Sequence, residues 1–202
     1  MRVIAGSAKG RPLVAPRGLA IRPTTDKVKG AIFSMLDAEA FRRAENGDDD
    51  DVPFRRVLDL YAGTGALGIE ALSRGAEHCD FVESNARARS AIEENLRRTG
   101  LAHQASANGL RAEAAVSTFR APYDLILADP PYADPTLPRL LTTIGASGII
   151  HERTLVVIEH ARSVELPADC GRLRLTRSRF HGTTAISIYT SGASDVGEPP
   201  HP

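Results

Sequence analysis

A glycine-rich turn between two apolar segments is the feature that most constrains this chain. The run Val57-Leu58-Asp59-Leu60-Tyr61-Ala62-Gly63-Thr64-Gly65-Ala66-Leu67-Gly68 predicts a strand, a tight turn and the start of a helix. Gly63 and Gly65 can adopt positive φ and let a ligand approach the backbone, and Gly68 permits close contact between helix and strand. Because the pattern lies between a strand and a helix, it indicates a ligand site at the helix N-terminus.

From Arg56 onward, segments of strand length alternate with segments of helical periodicity. The predicted elements are 56–61, 66–74, 79–83, 86–99, 104–108, 110–119, 123–128, 136–144 and 154–160. This alternation is typical of an α/β fold with a doubly wound parallel sheet. Two final runs, 172–180 and 183–190, are joined by His181-Gly182 and predict an antiparallel hairpin at the edge of the sheet.

Acidic residues lie where a ligand of this turn would be held. Glu83 ends the second predicted strand, 20 residues after Gly63, and a carboxylate there can accept both hydroxyls of an adenosine ribose. Asp59 precedes the glycines, where it would repel a pyrophosphate and attract an ammonium group. A ligand that carries an adenosine at one end and an ammonium group at the other, and no phosphate, is S-adenosylmethionine. The alternative is another nucleotide-binding domain, such as an NAD-dependent dehydrogenase, but no acid/base pair for hydride transfer is recognisable.

A second motif, Asp129-Pro130-Pro131-Tyr132, directly follows the apolar run 123–128. Proline fixes φ and donates no hydrogen bond, and the residue before it is held extended, so the segment is rigid. The Asp129 carboxylate, the Pro130 carbonyl and the Tyr132 ring together suit the binding of a planar base by its exocyclic amine. The alternative interpretation is an ordinary turn at the end of a strand, since Pro-Pro is a turn signal.

The length of 202 residues suits one domain with a small appendage. We expect an N-terminal basic β-hairpin over 1–23, a main domain over 24–190 with Thr24 or Thr25 capping its first helix, and a disordered tail over 191–202. The formal net charge is zero, yet residues 2–29 hold seven basic side chains against Asp26 alone. Residues 172–179 hold four arginines and no acid. Such patches favour a polyanionic partner, and solvated surface charge is the alternative.

Other classes of protein find little support. Two cysteines, Cys79 and Cys170, are too few for a disulfide framework, and the six histidines show no paired spacing, so we expect no metal site. No apolar stretch of membrane-spanning length and no signal-peptide pattern is visible. We therefore expect a cytoplasmic protein with no membrane association, and a monomer.

The chain resembles the bacterial 16S ribosomal RNA guanine-N2 methyltransferases. The resemblance runs from about residue 2 to 190 and is carried by segments 2–6, 22–28, 58–68, 70–76, 81–83, 129–132 and 181–184. The tetrad by itself also occurs in DNA adenine-N6 methyltransferases, so DNA or another amine remains the alternative acceptor. The N-terminal segment and the run from Ala62 to Gly75 narrow the choice to ribosomal RNA.

The resemblance implies a seven-stranded class I methyltransferase (Rossmann-like) sheet with a small N-terminal β-hairpin, S-adenosylmethionine as cofactor, and 16S rRNA or the 30S subunit as partner. The residues that it assigns to the cofactor are Asp59, Tyr61, Gly63, Gly65, Glu83, Asn108 and Asp129. Those that it assigns to catalysis are Asp129, Pro130 and Tyr132. On charge and position, we expect RNA contacts from Arg11, Arg22, Thr25 and Lys27.

Two departures from the family pattern stand out. Family members commonly carry an Arg-Glu pair where this chain has Lys29-Gly30, so a salt bridge from that acid is absent. The acidic insertion over 45–51 is also unusual and has no functional interpretation.

Overall fold

One mixed sheet organises the chain, and the computed structural model describes residues 1–16, 25–45, 54–131 and 134–192. The helices are α1 (Asp26–Glu45), α2 (Ala66–Ser73), α3 (Ala86–Thr99), α4 (Ala112–Thr118) and α5 (Leu137–Ala146), with a 3-10 turn at Ala102–Gln104. The strands are β1 (Arg56–Leu60), β2 (His78–Val82), β3 (Ala105–Asn108), β4 (Tyr123–Ala128), β5 (Ile150–Ala161), β6 (Asp169–Cys170), β7 (Leu173–His181) and β8 (Thr184–Ser191).

The strand order is β3-β2-β1-β4-β5-β8-β7-β6. The first five strands are parallel, and β8, β7 and β6 complete the sheet in antiparallel pairs. The predicted doubly wound sheet with an antiparallel C-terminal hairpin is confirmed. The sheet has eight strands, where seven were expected, because the two-residue β6 pairs with the start of β7.

Helices cover both faces of the sheet. One apolar layer packs α1, α2, α3 and the N-terminal segment against one face, and a second packs α4 and α5 against the other. The contact between α2 and the sheet depends on Gly68, because a Cβ there would lie 2.4 Å from Cε1 of Phe81. Among the described residues, no helix has both the length and the apolar composition needed to cross a membrane.

The N-terminal segment belongs to the main core. The predicted hairpin is reduced to one antiparallel bridge, between Arg2 and Pro12. Val3, Ala8 and Leu13 are buried in the layer that covers α2. The segment therefore contributes to the main hydrophobic core.

A buried ion pair holds this segment in place. The Lys29 ammonium and the Glu70 carboxylate lie 3.3 Å apart, and both side chains are fully buried. Glu70 also accepts the N–H groups of Ile4 and Ala5 at 2.8 and 2.9 Å, and Lys29 donates to the carbonyl of Arg2 at 2.5 Å. Burial lowers the pKa of Lys29, against the opposing effect of the Glu70 charge. Lys29, counted above as surface charge, is therefore not available to a polyanion.

We predict that Glu70→Gln lowers the free energy of unfolding by about 3–5 kcal/mol, because the Lys29 ammonium is left buried without a counter-charge. The double variant Lys29→Met/Glu70→Gln should recover part of this loss, since it leaves no buried charge. Arg97→Ala, which breaks the exposed pair with Glu94, serves as control and should cost less than about 1 kcal/mol. Urea denaturation measures all three, and equal losses in Glu70→Gln and Arg97→Ala would contradict the prediction.

Candidate active site

The parallel strands β1, β2 and β4 bring the sequence-predicted acids to one edge of the sheet. Leu60, the last residue of β1, is in register with Val82 of β2 and Ala128 of β4. The next residues along the three strands are Tyr61, Glu83 and Asp129, so they leave the sheet at the same level. This carboxyl edge at a change of strand order is where open α/β sheets bind ligands.

The glycine loop is held by the carboxylate of Glu83. Gly63 has φ 55° and Gly65 has φ 80°, and Gly65 caps the N-terminus of α2. The N–H of Gly63 donates to Oε2 of Glu83 at 2.9 Å, and the N–H of Asn85 donates to Oε1 at 2.7 Å. A carboxylate oxygen has two lone-pair sites, so each can accept a further hydrogen bond from a ligand hydroxyl.

The carboxylate of Asp59 lies beneath the loop. Its side chain is 1% exposed, and Oδ2 accepts the N–H of Gly68 at 2.9 Å. Burial raises the pKa of Asp59 to about 7, and the negative charges of Asp129 and Glu83 add to the rise. Three carboxyl groups thus converge at this edge, and an added cation would be stabilised there, whereas an added anion would be repelled.

Tyr61 adopts a strained conformation at the start of the loop. Its φ of 57° is the one positive value of a non-glycine residue in the described parts of the chain. Burial raises the pKa of the phenol, and the charges of Glu113 and Asp134 add to the rise. The hydroxyl is buried and makes no hydrogen bond with a described residue, although the Asp134 carboxylate lies near enough to raise its pKa. A strained residue with an unsatisfied hydroxyl is a feature found at functional sites.

A cleft of about 190 Å³ opens beside these residues. It is lined by Tyr61, Val82, Glu83, Ser84, Leu110, Arg111, Ala112, Glu113, Pro131 and Asp134. The structure thus brings the predicted Tyr61 and Glu83 together with Pro131 of the tetrad. Asp59, Gly63, Gly65, Asn108 and Asp129 do not line the cleft, and their contacts to a ligand remain predictions.

Leu110, Arg111 and Asp134, which sequence reasoning missed, come from the segments that follow β3 and β4. Leu110 adds an apolar side chain to that of Val82 of β2, and Arg111 and Asp134 add charge. Their position after two strands that end at the same edge was the only signal that could have identified them. Pro130 is buried, and Tyr132 lies outside the described residues.

Asn95 of α3 connects the N-terminal segment to the glycine loop. Its side chain is fully buried. The Oδ1 atom accepts the N–H of Val14 at 2.8 Å, and Nδ2 donates to the carbonyls of Val14 and Thr64 at 3.0 and 2.9 Å. Thr64 lies between the two glycines of the loop. One amide therefore fixes both the end of the segment and the middle of the loop.

The predicted RNA-binding residues are spread over the N-terminal segment and the start of α1. Arg11 and Lys27 are exposed and make no ion pair with a described residue. Thr25 is exposed and caps α1 by accepting the N–H of Val28 at 3.2 Å, as predicted. Arg22 lies outside the described residues. The turn that precedes Arg11 packs on Ser73, at the end of α2 remote from the carboxyl edge.

The doubly wound sheet with its antiparallel hairpin, and the acids at the ends of β1, β2 and β4, define a class I methyltransferase. Residues 1–190 match the family described as "Conserved hypothetical protein 95", and the chain belongs to this family.

Named relatives cover almost the whole chain. This chain is 42% identical over 192 residues to the "Putative rRNA methyltransferase YlbH" of Bacillus subtilis, and the match covers 94% of this chain and 98% of the relative. It is 28% identical over 201 residues to the "Ribosomal RNA small subunit methyltransferase D" of Escherichia coli, with 97% and 94% covered. The solved structure titled "Putative methyltransferase yhhF from Escherichia coli" has a TM-score of 0.79 at 28% identity, covering 96% of this chain and 98% of that one.

We predict that Asn95→Ala lowers the free energy of unfolding by about 1–3 kcal/mol for each backbone group of Val14 and Thr64 that is left buried without a partner. Hydrogen exchange at the Val14 amide should also accelerate. Ser90→Ala, at an exposed position of the same helix, is the control and should change stability by less than about 0.5 kcal/mol. If Asn95→Ala unfolds in urea like Ser90→Ala, the amide does not connect segment and loop.

Proposed function

We propose that the protein transfers a methyl group from S-adenosylmethionine to the exocyclic N2 amine of a guanine in 16S rRNA. The convergence of Asp59, Glu83 and Asp129 at one edge of the sheet is the observation that carries this proposal, because it favours a cationic ligand over a pyrophosphate. The names of the Bacillus subtilis and Escherichia coli relatives support ribosomal RNA as the acceptor.

The residues of the cleft fit the proposed cofactor. The remaining lone pairs of Glu83 can accept the ribose hydroxyls, and Val82 and Leu110 can pack against the adenine. Asp59 can attract the methionine ammonium from beneath the loop, and the unsatisfied Tyr61 hydroxyl offers a further polar contact. When bound, S-adenosylmethionine supplies an electrophilic methyl group on a sulfonium.

The acceptor side is built by the segment after β4. The lone pair of a guanine N2 is delocalised into the ring, so the amine needs to be oriented and its hydrogens accepted. The Asp129 carboxylate and the Pro130 carbonyl can accept the two hydrogens and hold the amine in one orientation, which is electrostatic preorganisation. Asp129 then takes up the proton released after transfer. Tyr132 is proposed to stack on the base, which has to be unstacked from its neighbours to reach the site.

Parallel assays with labelled S-adenosylmethionine test the function. We expect methyl transfer to 16S RNA or 30S particles, and not to DNA or protein. Asp129→Ala should lower turnover by about 10²–10³-fold, the scale for removing one preorganised contact, with a much smaller loss of cofactor affinity, because Asp59 and Glu83 remain. Asp37→Ala, at an exposed site on α1, is the control and should be fully active. Wild-type turnover in Asp129→Ala would mean that the tetrad is a structural turn without a catalytic role. Exclusive transfer to DNA or protein would overturn the proposal.

The raised pKa of Asp59 predicts a pH-dependent affinity. With a pKa of about 7 in the folded protein, Asp59 is mostly neutral below that pH and ionised above it. Affinity for S-adenosylmethionine should therefore rise as the pH increases through about 7, with proton release, because only the ionised form attracts the ammonium. The folding stability of the ligand-free protein should change in the opposite direction. Because ionising the buried Asp59 costs folding free energy, the free energy of unfolding should fall as the pH rises from about 4 to 7.

Calorimetry between about pH 5.5 and 8.5 measures how the affinity for S-adenosylmethionine depends on pH. 5′-Methylthioadenosine, which lacks the ammonium group, is the matched ligand control, and its affinity should stay constant. Asp59→Asn should bind S-adenosylmethionine more weakly at pH 8 and lose the rise. If both ligands show the same pH profile in the wild-type protein, Asp59 does not contact the ammonium.

A further inference from the structure

The hairpin formed by β7 and β8 ends at the same edge of the sheet as the acceptor motif. Ala128, the last residue of β4, is in register with Ile158 of β5, and this row continues through Ser187 to Ser178 of β7. Since β7 runs parallel to β4, residues 179–181 extend past the row and stand level with the start of the acceptor motif. Three strand spacings separate them from β4, or about 14 Å.

The tip of this hairpin carries an exposed aromatic ring. Phe180 is 57% exposed, and among the described residues only Phe41 of α1 is also a large apolar side chain exposed to this degree. The guanidinium of Arg162, which follows β5, lies over the Phe180 ring at 4.9 Å from its centroid. This contact holds the ring at the tip without covering it.

The outer edge of β7 is basic and open. The strand β6 pairs with Leu173 and Arg174 alone, so from Thr176 onward no described strand pairs with this edge. Arg177 and Arg179 make no ion pair with a described residue, whereas Arg174 pairs with Asp169 at 3.2 Å. Residues 170–192 contain no Asp or Glu. Charge complementarity therefore points to a polyanion.

We infer that this hairpin tip binds single-stranded RNA beside the target nucleotide, with a base stacked on Phe180 and phosphates held by Arg177 and Arg179. The inference rests on the proposed function, because the tip borders the site on the acceptor side. A base that stacks on an aromatic ring has to be unpaired, so the hairpin selects a loop or a locally opened strand. Basic side chains beside an exposed ring are the combination that single-stranded nucleic acid requires. Side chains alternate between the two faces of a strand, so the RNA would pass around the open edge of β7 to reach both Phe180 and the arginines.

Binding of 16S RNA to the full-length protein tests the inference. Phe180→Ala should weaken RNA affinity by roughly 5- to 100-fold, the scale for losing one stacked base, and raise KM for RNA while kcat changes little. Phe180→Trp should retain affinity. Phe41→Ala is the matched control, since it removes the other exposed ring and should bind RNA like the wild type. Affinity for S-adenosylmethionine, measured by calorimetry, reports whether each variant is folded.

The arginines are tested by salt dependence. Each lost phosphate contact should shallow the slope of log K against log salt by about 0.7, so Arg177→Ala/Arg179→Ala should shallow it by about 1.4. Arg120 is exposed and precedes β4, at the amino ends of the parallel strands, so Arg120→Ala should leave the slope unchanged.

Wild-type RNA affinity in both Phe180→Ala and the double arginine variant would overturn the inference. Lower activity of the variants on 30S particles with unchanged binding to 16S RNA would also overturn it. That result would indicate that the hairpin contacts a ribosomal protein instead of RNA. RNA binding that the variants lose, in a wild-type protein that methylates no RNA, would overturn the proposed function and leave the inference standing.

Discussion

Two hydrogen bonds from backbone N–H groups to carboxylates hold the site together. Gly63 donates to Glu83 and Gly68 donates to Asp59, so the loop and α2 are fastened to the ends of β2 and β1. Both carboxylates are thereby oriented before any ligand arrives, and a preoriented charge need not reorganise on binding. The arrangement also concentrates negative charge: burial is the main cause of the raised pKa of Asp59, and the charges of Asp129 and Glu83 add to it. A cationic ligand relieves this repulsion, which links the stability of the loop to its occupancy.

The N-terminal segment supports the same loop from the other side. Glu70, on the helix that the loop begins, binds the backbone of Ile4 and Ala5 and pairs with Lys29. Asn95 binds Val14 and Thr64 together. The first residues of the chain are therefore part of the catalytic domain. Any contact that the segment makes with RNA would act on a structure already connected to the glycine loop.

Local patterns predicted the fold and, among the residues that line the cleft, Tyr61 and Glu83. The strand–turn–helix run placed Gly63, Gly65 and Glu83, because their roles follow from backbone conformation and from the parallel connection. The pairing of Lys29 with Glu70 could not be predicted, since 41 residues separate them and a buried lysine leaves no periodic signal. Leu110 and Asp134 line the cleft from loops whose path depends on packing. The strand β5 begins at Ile150 and not at the predicted residue 154. The prediction missed its start because the first residues after Ile150 are polar.

The carboxyl edge of the sheet divides into two functional halves. The ends of β1 and β2 form the half proposed for the cofactor, and the ends of β4 and β5 with the β7–β8 hairpin form the half proposed for the acceptor. Arginines on an exposed edge strand also have a simpler explanation, because charge there prevents pairing with other chains. That explanation accounts for Arg177 and Arg179, but it gives no reason to expose Phe180, since an apolar ring at an open edge promotes association. The ring and the arginines together are better explained by a partner that offers both bases and phosphates.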